Sequence, residues 1–339
     1  MSSQTIITSG ERDALANHGA QSIAQGSKSF ALASRLFGEE MRADVQMLYA
    51  WCRYCDDVID GQSFGEDAPD IELTAEEQSR RLDKLQKLTR KALNGEKTGN
   101  PAFDGFSIVA RKHKIPEQYP LDLLNGFSMD VSSRHYETMN ECLEYCYGVA
   151  GCVGIMMAIV MGVSPEDHET LDRASDLGLG FQLTNICRDI IDDAKADRIY
   201  LPAHMLEKHK IAVLPNSVLD NKNRGQLSLA ANEILSIADD YYSSAGEGLK
   251  KLPPRAAGAI AAARNIYREI GSIIRTRGSH AWDDRAYTSK MKKTWLAMSG
   301  LLSGGVQPVF RSNQKPLRRD QNLWQRPVNG ARLFVKGEA

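Results

Sequence analysis

The sequence predicts an all-α protein, and three observations carry this prediction. Proline and glycine are scarce between Asp13 and Thr276. Long stretches of this region repeat apolar residues at the i, i+3, i+4 spacing of an amphipathic helix. No stretch shows the alternation of apolar and polar residues that is typical of strands. With 42% hydrophobic and 25% charged residues, the chain has the composition of a soluble globular protein, which excludes a disordered or collagen-like class.

Each helix is predicted from its apolar periodicity and from the residues that interrupt it. An acidic loop that contains Gly and Pro, Gly61 to Asp70, separates the second helix from the third. The longest apolar run, Gly151 to Val163, is too short to span a bilayer and predicts a buried helix. Pro202 and Pro215 punctuate the chain after the longest helix. In chain order, we expect helices at 12–24, 40–60, 74–94, 102–113, 118–132, 138–162, 166–196, 224–248 and 253–278.

Residues 1–302 are expected to form a single multi-helix domain. None of the interruptions in this region is long enough to be a domain linker. No sequence repeat recurs at the fixed period of roughly 20–50 residues that is typical of solenoids. One compact helical domain is therefore the preferred interpretation.

The remaining residues, 303–339, predict a basic C-terminal tail. Helical periodicity ends after Leu302, and Gln307 to Ala339 contain seven Lys or Arg, two acidic residues and three scattered aromatic residues. This composition is typical of a flexible tail. The alternative is a peripheral contact with an anionic membrane surface.

The charge balance and the cysteines exclude several classes of function. The 42 Lys and Arg nearly cancel the 43 Asp and Glu, so no bulk charge indicates a nucleic-acid partner. The six cysteines are sparse and lie mostly among apolar residues, which favours a reduced, cytoplasmic setting. Cys52 and Cys55 form a lone CxxC without the second pair of a zinc ribbon, so core packing is preferred. Met1 to Arg12 lacks the apolar region of a signal peptide.

Two pairs of carboxylates are the main functional signal. Asp56 and Asp60 lie four residues apart, as do Asp189 and Asp193, so each pair shares one helical face. One such pair alone is usually a solvated face. The two carboxylates of each pair repel each other, and on apolar-rich helices a bound cation would offset this repulsion. Mg²⁺ is the natural candidate, because it prefers oxygen ligands. Two acidic helices facing each other would bind a diphosphate through Mg²⁺, with Mn²⁺ as an alternative ion.

Neighbouring polar residues strengthen this interpretation. At about 100° per residue, each acid pair continues into a polar stripe along its helix. The second helix is otherwise rich in Leu, Phe and Ile, so its stripe is expected to face a cavity. On the same ideal geometry, Arg188 points away from the acids. The two stripes consist of Tyr49, Arg53, Asp56 and Asp60, and of Gln182, Asn185, Asp189 and Asp193.

Four segments resemble signatures of the squalene and phytoene synthase family. They occur in the order and at the spacing of that family, and the resemblance covers about residues 15–300. One departure is Asp197-Arg198, which stands where the family often has Gly-Arg before its Tyr-Leu-Pro. The four segments are Met47 to Asp60 and Gln182 to Pro202, which resemble the two aspartate-rich motifs, together with Gly26 to Phe30 and Tyr145 to Gly151.

The resemblance implies the single-domain isoprenoid synthase fold, with a central active-site cavity, and assigns roles to individual residues. The implied catalytic residues are Asp56, Asp60, Asp189, Asp193 and Arg53. The implied metal ligands are Asp56, Asp60, Asn185, Asp189 and Asp193. The implied substrate-binding residues are Ser27, Ser29, Phe30, Tyr49, Arg53, Tyr145, Gln182, Arg188 and Tyr267.

The resemblance also implies a Mg²⁺-dependent prenyl transferase. Its closest form is the bacterial subgroup that joins two geranylgeranyl diphosphates, through a cyclopropyl diphosphate, into phytoene in carotenoid biosynthesis. No NADPH is expected, because no Gly-rich dinucleotide fingerprint follows a strand. One alternative is a C30 squalene or dehydrosqualene synthase that uses farnesyl diphosphate. From a different class, a non-catalytic helical assembly factor would lack Mg²⁺-dependent release of diphosphate.

Overall fold

The computed structural model describes residues 9–26, 31–32, 34–61, 74–132, 134–284 and 318–327. These ranges are largely helical and contain no strand, so the all-α prediction is confirmed. The helices are α1 (Ser9–Gly26), α2 (Glu39–Asp60), α3 (Ala75–Leu93), α4 (Pro101–Lys112), α5 (Gln118–Val131), α6 (Met139–Cys146), α7 (Cys152–Val160), α8 (His168–Lys195), α9 (Ala203–Lys208), α10 (Pro215–Leu219), α11 (Arg224–Gly248) and α12 (Pro254–Arg277). A π-helical turn (Tyr147–Gly151) and three 3₁₀ turns (Asn221–Asn223, Leu249–Lys251, Gly278–His280) complete them.

The structure departs from the predicted helices after α8. Two short helices, α9 and α10, occupy the stretch where the two prolines predicted irregular chain. Pro202 immediately precedes α9, and Pro215 is the first residue of α10. Proline is tolerated there because the first helical N–H has no intrahelical partner. Helices of five or six residues are too short to show apolar periodicity.

The predicted helix at 138–162 is interrupted by the π-helical turn. A Cβ atom on Gly148 would lie 2.8 Å from the Cα of Gly126 on α5, and a Cβ on Gly126 would lie 2.6 Å from the carbonyl carbon of Gly148. Glycine at both positions therefore allows the two backbones to touch. Turns of this kind are frequent at functional sites.

Side-chain caps begin several of the helices. The Thr74 hydroxyl accepts a hydrogen bond from the Glu77 N–H at the start of α3. At the start of α6, Thr138 accepts from the Glu141 N–H, and the Glu141 side chain accepts from the Thr138 N–H. This reciprocal capping box satisfies two donors that the helix leaves free.

Helix α8 forms the centre of the core. It packs against α7, α11, α12 and the π-helical turn. Its buried side chains include Leu171, Leu177, Leu183 and Ile191, on several sides of the helix. A helix surrounded in this way is typical of the interior of a large domain. Cavities between the surrounding helices are consequently bounded by α8.

One stretch among the described residues, Met139–Val160, is long and apolar enough to cross a bilayer. Its most apolar 18-residue window is 72% buried against the rest of the protein. The apolar surface of α6 and α7 is thus used in the core, as expected from the run Gly151 to Val163.

Part of the predicted tail lies on the helical domain. Arg319 pairs with Asp176 of α8, and Trp324 packs against Tyr147 of the π-helical turn. The rest of the tail, together with the boundary expected after residue 302, falls outside the described residues. The division of the chain at residue 302 stays a prediction.

Asp44 on α2 is buried and connects three helices. Its Oδ1 accepts a hydrogen bond from Arg12 Nη2 of α1 at 3.1 Å. Its Oδ2 accepts from Lys112 Nζ at 2.5 Å and lies 2.8 Å from His113 Nε2, at the end of α4. Burial alone would raise the pKa of Asp44, but the hydrogen bonds from His113 and Lys112 outweigh it and lower the pKa.

We expect Asp44 to make the stability of the fold depend on acidic pH. The pKa is lower in the folded chain than the value of about 3.9 in an unfolded chain. The ionised carboxylate therefore contributes stability above about pH 4, which is lost as the pH falls through the folded pKa. Urea unfolding at pH 7 should show Asp44→Asn less stable than wild type by about 2 kcal/mol. That difference should shrink below about pH 4, and a difference independent of pH would contradict the assignment.

Candidate active site

A cavity of about 1000 Å³ lies among α2, α5, α7, α8, α11 and α12. The cavity extends along α8. Ala174 and Leu177 line it near the beginning of this helix, and Gln182, Asn185 and Arg188 line it closer to the end. From Ala174 to Asn185 the helix rises roughly 16 Å. The cavity therefore has a mainly apolar part, in which Thr170 and Arg173 are the polar residues of α8, and a polar part along its length.

Helix α2 contributes the first group of polar side chains. Tyr49, Arg53 and Asp56, three of the four residues of the α2 stripe, line the cavity. Arg53 Nη1 lies 3.2 Å from Asp56 Oδ2, and Arg53 Nη2 lies 2.5 Å from Asp57 Oδ1. One turn further along α2, Asp60 Oδ1 accepts hydrogen bonds from Arg198 at 3.3 Å.

Helix α8 contributes the second group. Asn185 Nδ2 donates to Gln182 Oε1 at 3.3 Å. Arg188 Nε donates to Asp189 Oδ1 at 2.9 Å, and its Nη2 makes a second hydrogen bond to Asp189 Oδ2. Arg188 also lines the cavity. The ideal helical geometry that directed Arg188 away from the site is wrong here, because a long side chain can turn back along its helix.

Burial and like charges raise the pKa of several carboxylates in this region. Burial raises the pKa of Asp56 to about 7, assisted by the charge of Asp60. Asp56 faces the cavity, so protein surrounds a carboxylate that water can still reach. Burial also raises the pKa of Asp193 to about 7, assisted by Asp189. Both pairs therefore lie where a bound cation would stabilise the ionised form.

A further acidic residue of the site, Asp130 on α5, was not predicted. Tyr200 donates its hydroxyl to Asp130 Oδ1 at 2.8 Å, and Tyr145 donates to Oδ2 at 3.4 Å. Asp130 lines the cavity, and burial raises its pKa to about 6. Its charge also contributes a small increase to the pKa of Asp56 and of Asp193. A lone aspartate carries no spacing signal, so periodicity could not identify it.

Aromatic rings form two stacked pairs near the cavity. Tyr145 stacks on Tyr200 with ring centroids 5.0 Å apart, and Phe181 stacks on Tyr267 at 4.1 Å. Tyr145, Phe181 and Tyr267 line the cavity. Gly26 lines it too, directly before Ser27, Ser29 and Phe30, which fall outside the described residues.

The sequence of the chain matches the family model for squalene/phytoene synthase over residues 23–292. The chain belongs to the squalene/phytoene synthase family. It is 47% identical over 315 residues to a phytoene synthase of Pseudescherichia vulneris, a match that covers 93% of this chain and 98% of the relative. It is 46% identical over 314 residues to a 15-cis-phytoene synthase of Pantoea ananas, with the same two coverages.

Solved structures of the family share the fold. A dehydrosqualene synthase crystallised in complex with ligand has a TM-score of 0.75 and 25% sequence identity, over 86% of this chain and 96% of that chain. A squalene synthase from Alicyclobacillus acidocaldarius has a TM-score of 0.67 and 21% identity, over 80% and 97%. The isoprenoid synthase fold expected from the sequence is confirmed.

The family resemblance implies a divalent metal, and the oxygen donors of the two acidic helices are the groups that could hold it. In the part of the chain that the structure describes, no three His, Cys, Asp or Glu side chains converge on a metal site. The oxygen donors remain divided between α2 and α8. Asn185 Oδ1 is buried and has no hydrogen-bond partner among these residues. Such a set fits Mg²⁺, which takes one or two carboxylates and completes its shell with water and phosphate oxygens.

Small residues along α7 and the π-helical turn serve helix packing as well as the cavity. A Cβ on Gly154 would lie 2.4 Å from the Ala174 carbonyl oxygen of α8. A Cβ on Gly178 would lie 2.4 Å from the Ala150 carbonyl oxygen. Ala150, Gly154 and Gly178 also line the cavity. These small residues therefore allow close helix packing and also leave space in the cavity.

Proposed function

We propose that this family member joins two geranylgeranyl diphosphates head to head, through a cyclopropyl diphosphate, into phytoene. The observation that carries the proposal is the 46–47% identity to phytoene synthases over 93% of the chain. The cavity supports it, since a polar part suits a diphosphate and an apolar part suits a prenyl chain. The polarity of the cavity thus matches the polarity of the substrate.

The residues proposed to hold Mg²⁺ are Asp56, Asp60, Asn185, Asp189 and Asp193. When bound, the ion would neutralise charge on the departing diphosphate and favour ionisation of the allylic C–O bond. Arg53 and Arg188, which line the cavity at its polar part, would bind diphosphate oxygens. Gln182 and Tyr49 would orient the same group by hydrogen bonding.

The apolar part of the cavity would protect the cations that form after ionisation. Water would quench an allylic or cyclopropylcarbinyl cation, so the prenyl chains must be enclosed. Tyr145 and Tyr267 line the cavity, where the π electrons of their rings would stabilise positive charge. Asp130 fixes the Tyr145 hydroxyl and thereby its ring.

The product distinguishes this proposal from C30 synthesis. Farnesyl and geranylgeranyl diphosphates are supplied at equal concentration with Mg²⁺, with and without NADPH. The molecular masses of the hydrocarbon products are then determined by mass spectrometry. We expect a C40 hydrocarbon as main product in both conditions, because no reduction is required. A C30 main product, or a C40 yield that needs NADPH, would show that the fold is right and the enzyme is different.

We also propose peripheral contact of this cytoplasmic enzyme with an anionic membrane, where a water-insoluble product can leave. Of the seven basic residues after Gln307, Arg319 and Arg326 are paired with aspartates of α8. Of the other five, Arg318 is exposed, and Arg311, Lys315, Arg332 and Lys336 fall outside the described residues. Each Lys or Arg near an anionic membrane surface contributes about 1 kcal/mol to the free energy of membrane binding.

Replacing these four cations by Gln is expected to weaken co-sedimentation with anionic liposomes at low salt, while diphosphate release in solution stays at the wild-type rate. Salt should reduce binding of the wild type, because exposed charges are screened. The matched control replaces four exposed cations elsewhere by Gln, namely Lys87, Lys222, Lys251 and Arg255. Equal loss in both variants, or no loss in the first, would refute the tail as the contact.

A further inference from the structure

The residues Arg318–Pro327, here called the C-terminal clasp, lie on the outside of the helical domain. Arg319 makes a bidentate ion pair with Asp176 of α8, with Nε to Oδ2 at 2.8 Å and Nη2 to Oδ1 at 2.7 Å. The Asp176 side chain is 1% exposed, and Ser244 Oγ of α11 donates to its Oδ2 at 2.5 Å. Arg319 Nη2 also donates to the Trp324 carbonyl oxygen at 2.7 Å, which folds the clasp on itself.

Two further anchors hold the clasp. Arg326 Nε donates to Asp172 Oδ1 of α8 at 2.5 Å, and its Nη1 donates to the Tyr119 hydroxyl of α5 at 3.2 Å. The Trp324 ring packs on Tyr147 of the π-helical turn at 5.5 Å between centroids. The backbone N–H of Trp324 donates to the Tyr241 hydroxyl of α11 at 3.2 Å.

The four segments touched by the clasp are walls of the cavity. On each of them, a residue close to the anchor in sequence lines the cavity. The clasp therefore contacts the same four segments that line the space where substrate would bind. The lining residues are Leu123 on α5, Ala150 in the π-helical turn, Arg173 and Leu177 on α8, and Ala245 on α11.

We propose that Arg319 and Trp324 of the clasp are positioning residues for the apolar part of the cavity, and that they set how well it accepts the longer of two prenyl chains. The identity of the ligand as a prenyl chain rests on the proposed function. The clasp connects α5, the π-helical turn, α8 and α11 through its contacts with Tyr119, Tyr147, Asp176 and Tyr241. Without Arg319, Asp176 is a buried carboxylate that has lost its cation, and α8 and α11 meet at that carboxylate.

The geometry predicts an effect on substrate binding rather than on ionisation. The clasp contacts none of the polar residues of α2, nor Gln182, Asn185 and Arg188, among the contacts of the described residues. Loosening the apolar wall should weaken binding of the prenyl chain in the ground state and transition state alike. Such a loss raises KM and leaves kcat nearly unchanged.

The test compares Arg319→Gln and Trp324→Ala in the full chain with the matched control Arg318→Gln, an exposed neighbour in the clasp. In both test variants we expect the KM for geranylgeranyl diphosphate to rise about five-fold or more, with kcat within about two-fold of wild type. With equal farnesyl and geranylgeranyl diphosphates, the C40 share of the product should fall. The control should match wild type in all three readouts.

Conservative replacement separates positioning from general instability. Trp324→Phe keeps an aromatic ring against Tyr147 and should restore the wild-type KM and product ratio. If Arg319→Gln does not fold, the pair Trp324→Ala and Trp324→Phe decides alone. A lower melting temperature with unchanged KM and unchanged product ratio would overturn the proposal, as would a loss confined to kcat. A wild-type chain that releases no diphosphate from geranylgeranyl diphosphate would instead overturn the proposed function.

Discussion

Replacing Asp60 or Asp189 by Asn is expected to slow diphosphate release by about 10²-fold or more, the scale of removing one preorganised transition-state contact. Each substitution removes one negative charge from the oxygen donors proposed for Mg²⁺ and leaves the size of the side chain unchanged. It also removes the negative charge from an ion pair, the pair with Arg198 for Asp60 and the pair with Arg188 for Asp189. Steady-state release of diphosphate at saturating Mg²⁺ measures the effect.

Asp192→Asn is the matched control on the same helix. Asp192 lies between the acids of the second pair, but its side chain is 58% exposed and pairs with Lys195. Exposed ion pairs contribute only about 0–1 kcal/mol to stability, so this variant should keep wild-type turnover and stability. Circular dichroism should show all three variants folded. Near-normal turnover of Asp60→Asn or Asp189→Asn with Mg²⁺ present would contradict the proposed metal site.

Replacing Gly178 by Val is expected to destabilise the fold by about 3 kcal/mol, at the upper end of the usual cost of overpacking. A Cβ at this position would lie 2.4 Å from the Ala150 carbonyl oxygen and 2.7 Å from the Gly151 Cα. Both neighbours are backbone atoms, so no side-chain rotation can make room. Helix α8 must move away from the π-helical turn, which reshapes the cavity wall. Urea unfolding measures the loss.

Gly225→Ala provides the contrast, because a Cβ on Gly225 in the first turn of α11 meets no atom within 4 Å. Alanine in a helix is favoured over glycine by about 0.5–1 kcal/mol, so this variant should be at least as stable as wild type. A Gly178→Val variant that loses less than about 1 kcal/mol would show that the two backbones separate easily, against the packing interpretation.

The sequence by itself determined the features that depend on neighbours along the chain. Apolar periodicity located the long helices, because it records which face of each helix is buried. The spacing of Asp56 and Asp60 placed both carboxylates on one face of α2, since helical geometry relates residues four apart wherever the helix lies. The family motifs identified the class of protein for the same reason, as they are local strings of residues.

Only the tertiary structure decided which distant side chains meet. Asp130 on α5 meets Tyr200, 70 positions away in sequence, and Arg319 meets Asp176, 143 positions away. No spacing rule relates such residues, because their distance depends on how whole helices pack on α8. Nothing in the sequence distinguishes Gly178 from other helical glycines. The tertiary structure shows that Gly178 packs directly against the Ala150 carbonyl. Local geometry assigns a residue to a face of its helix, whereas burial of all the helices together decides what that face contacts.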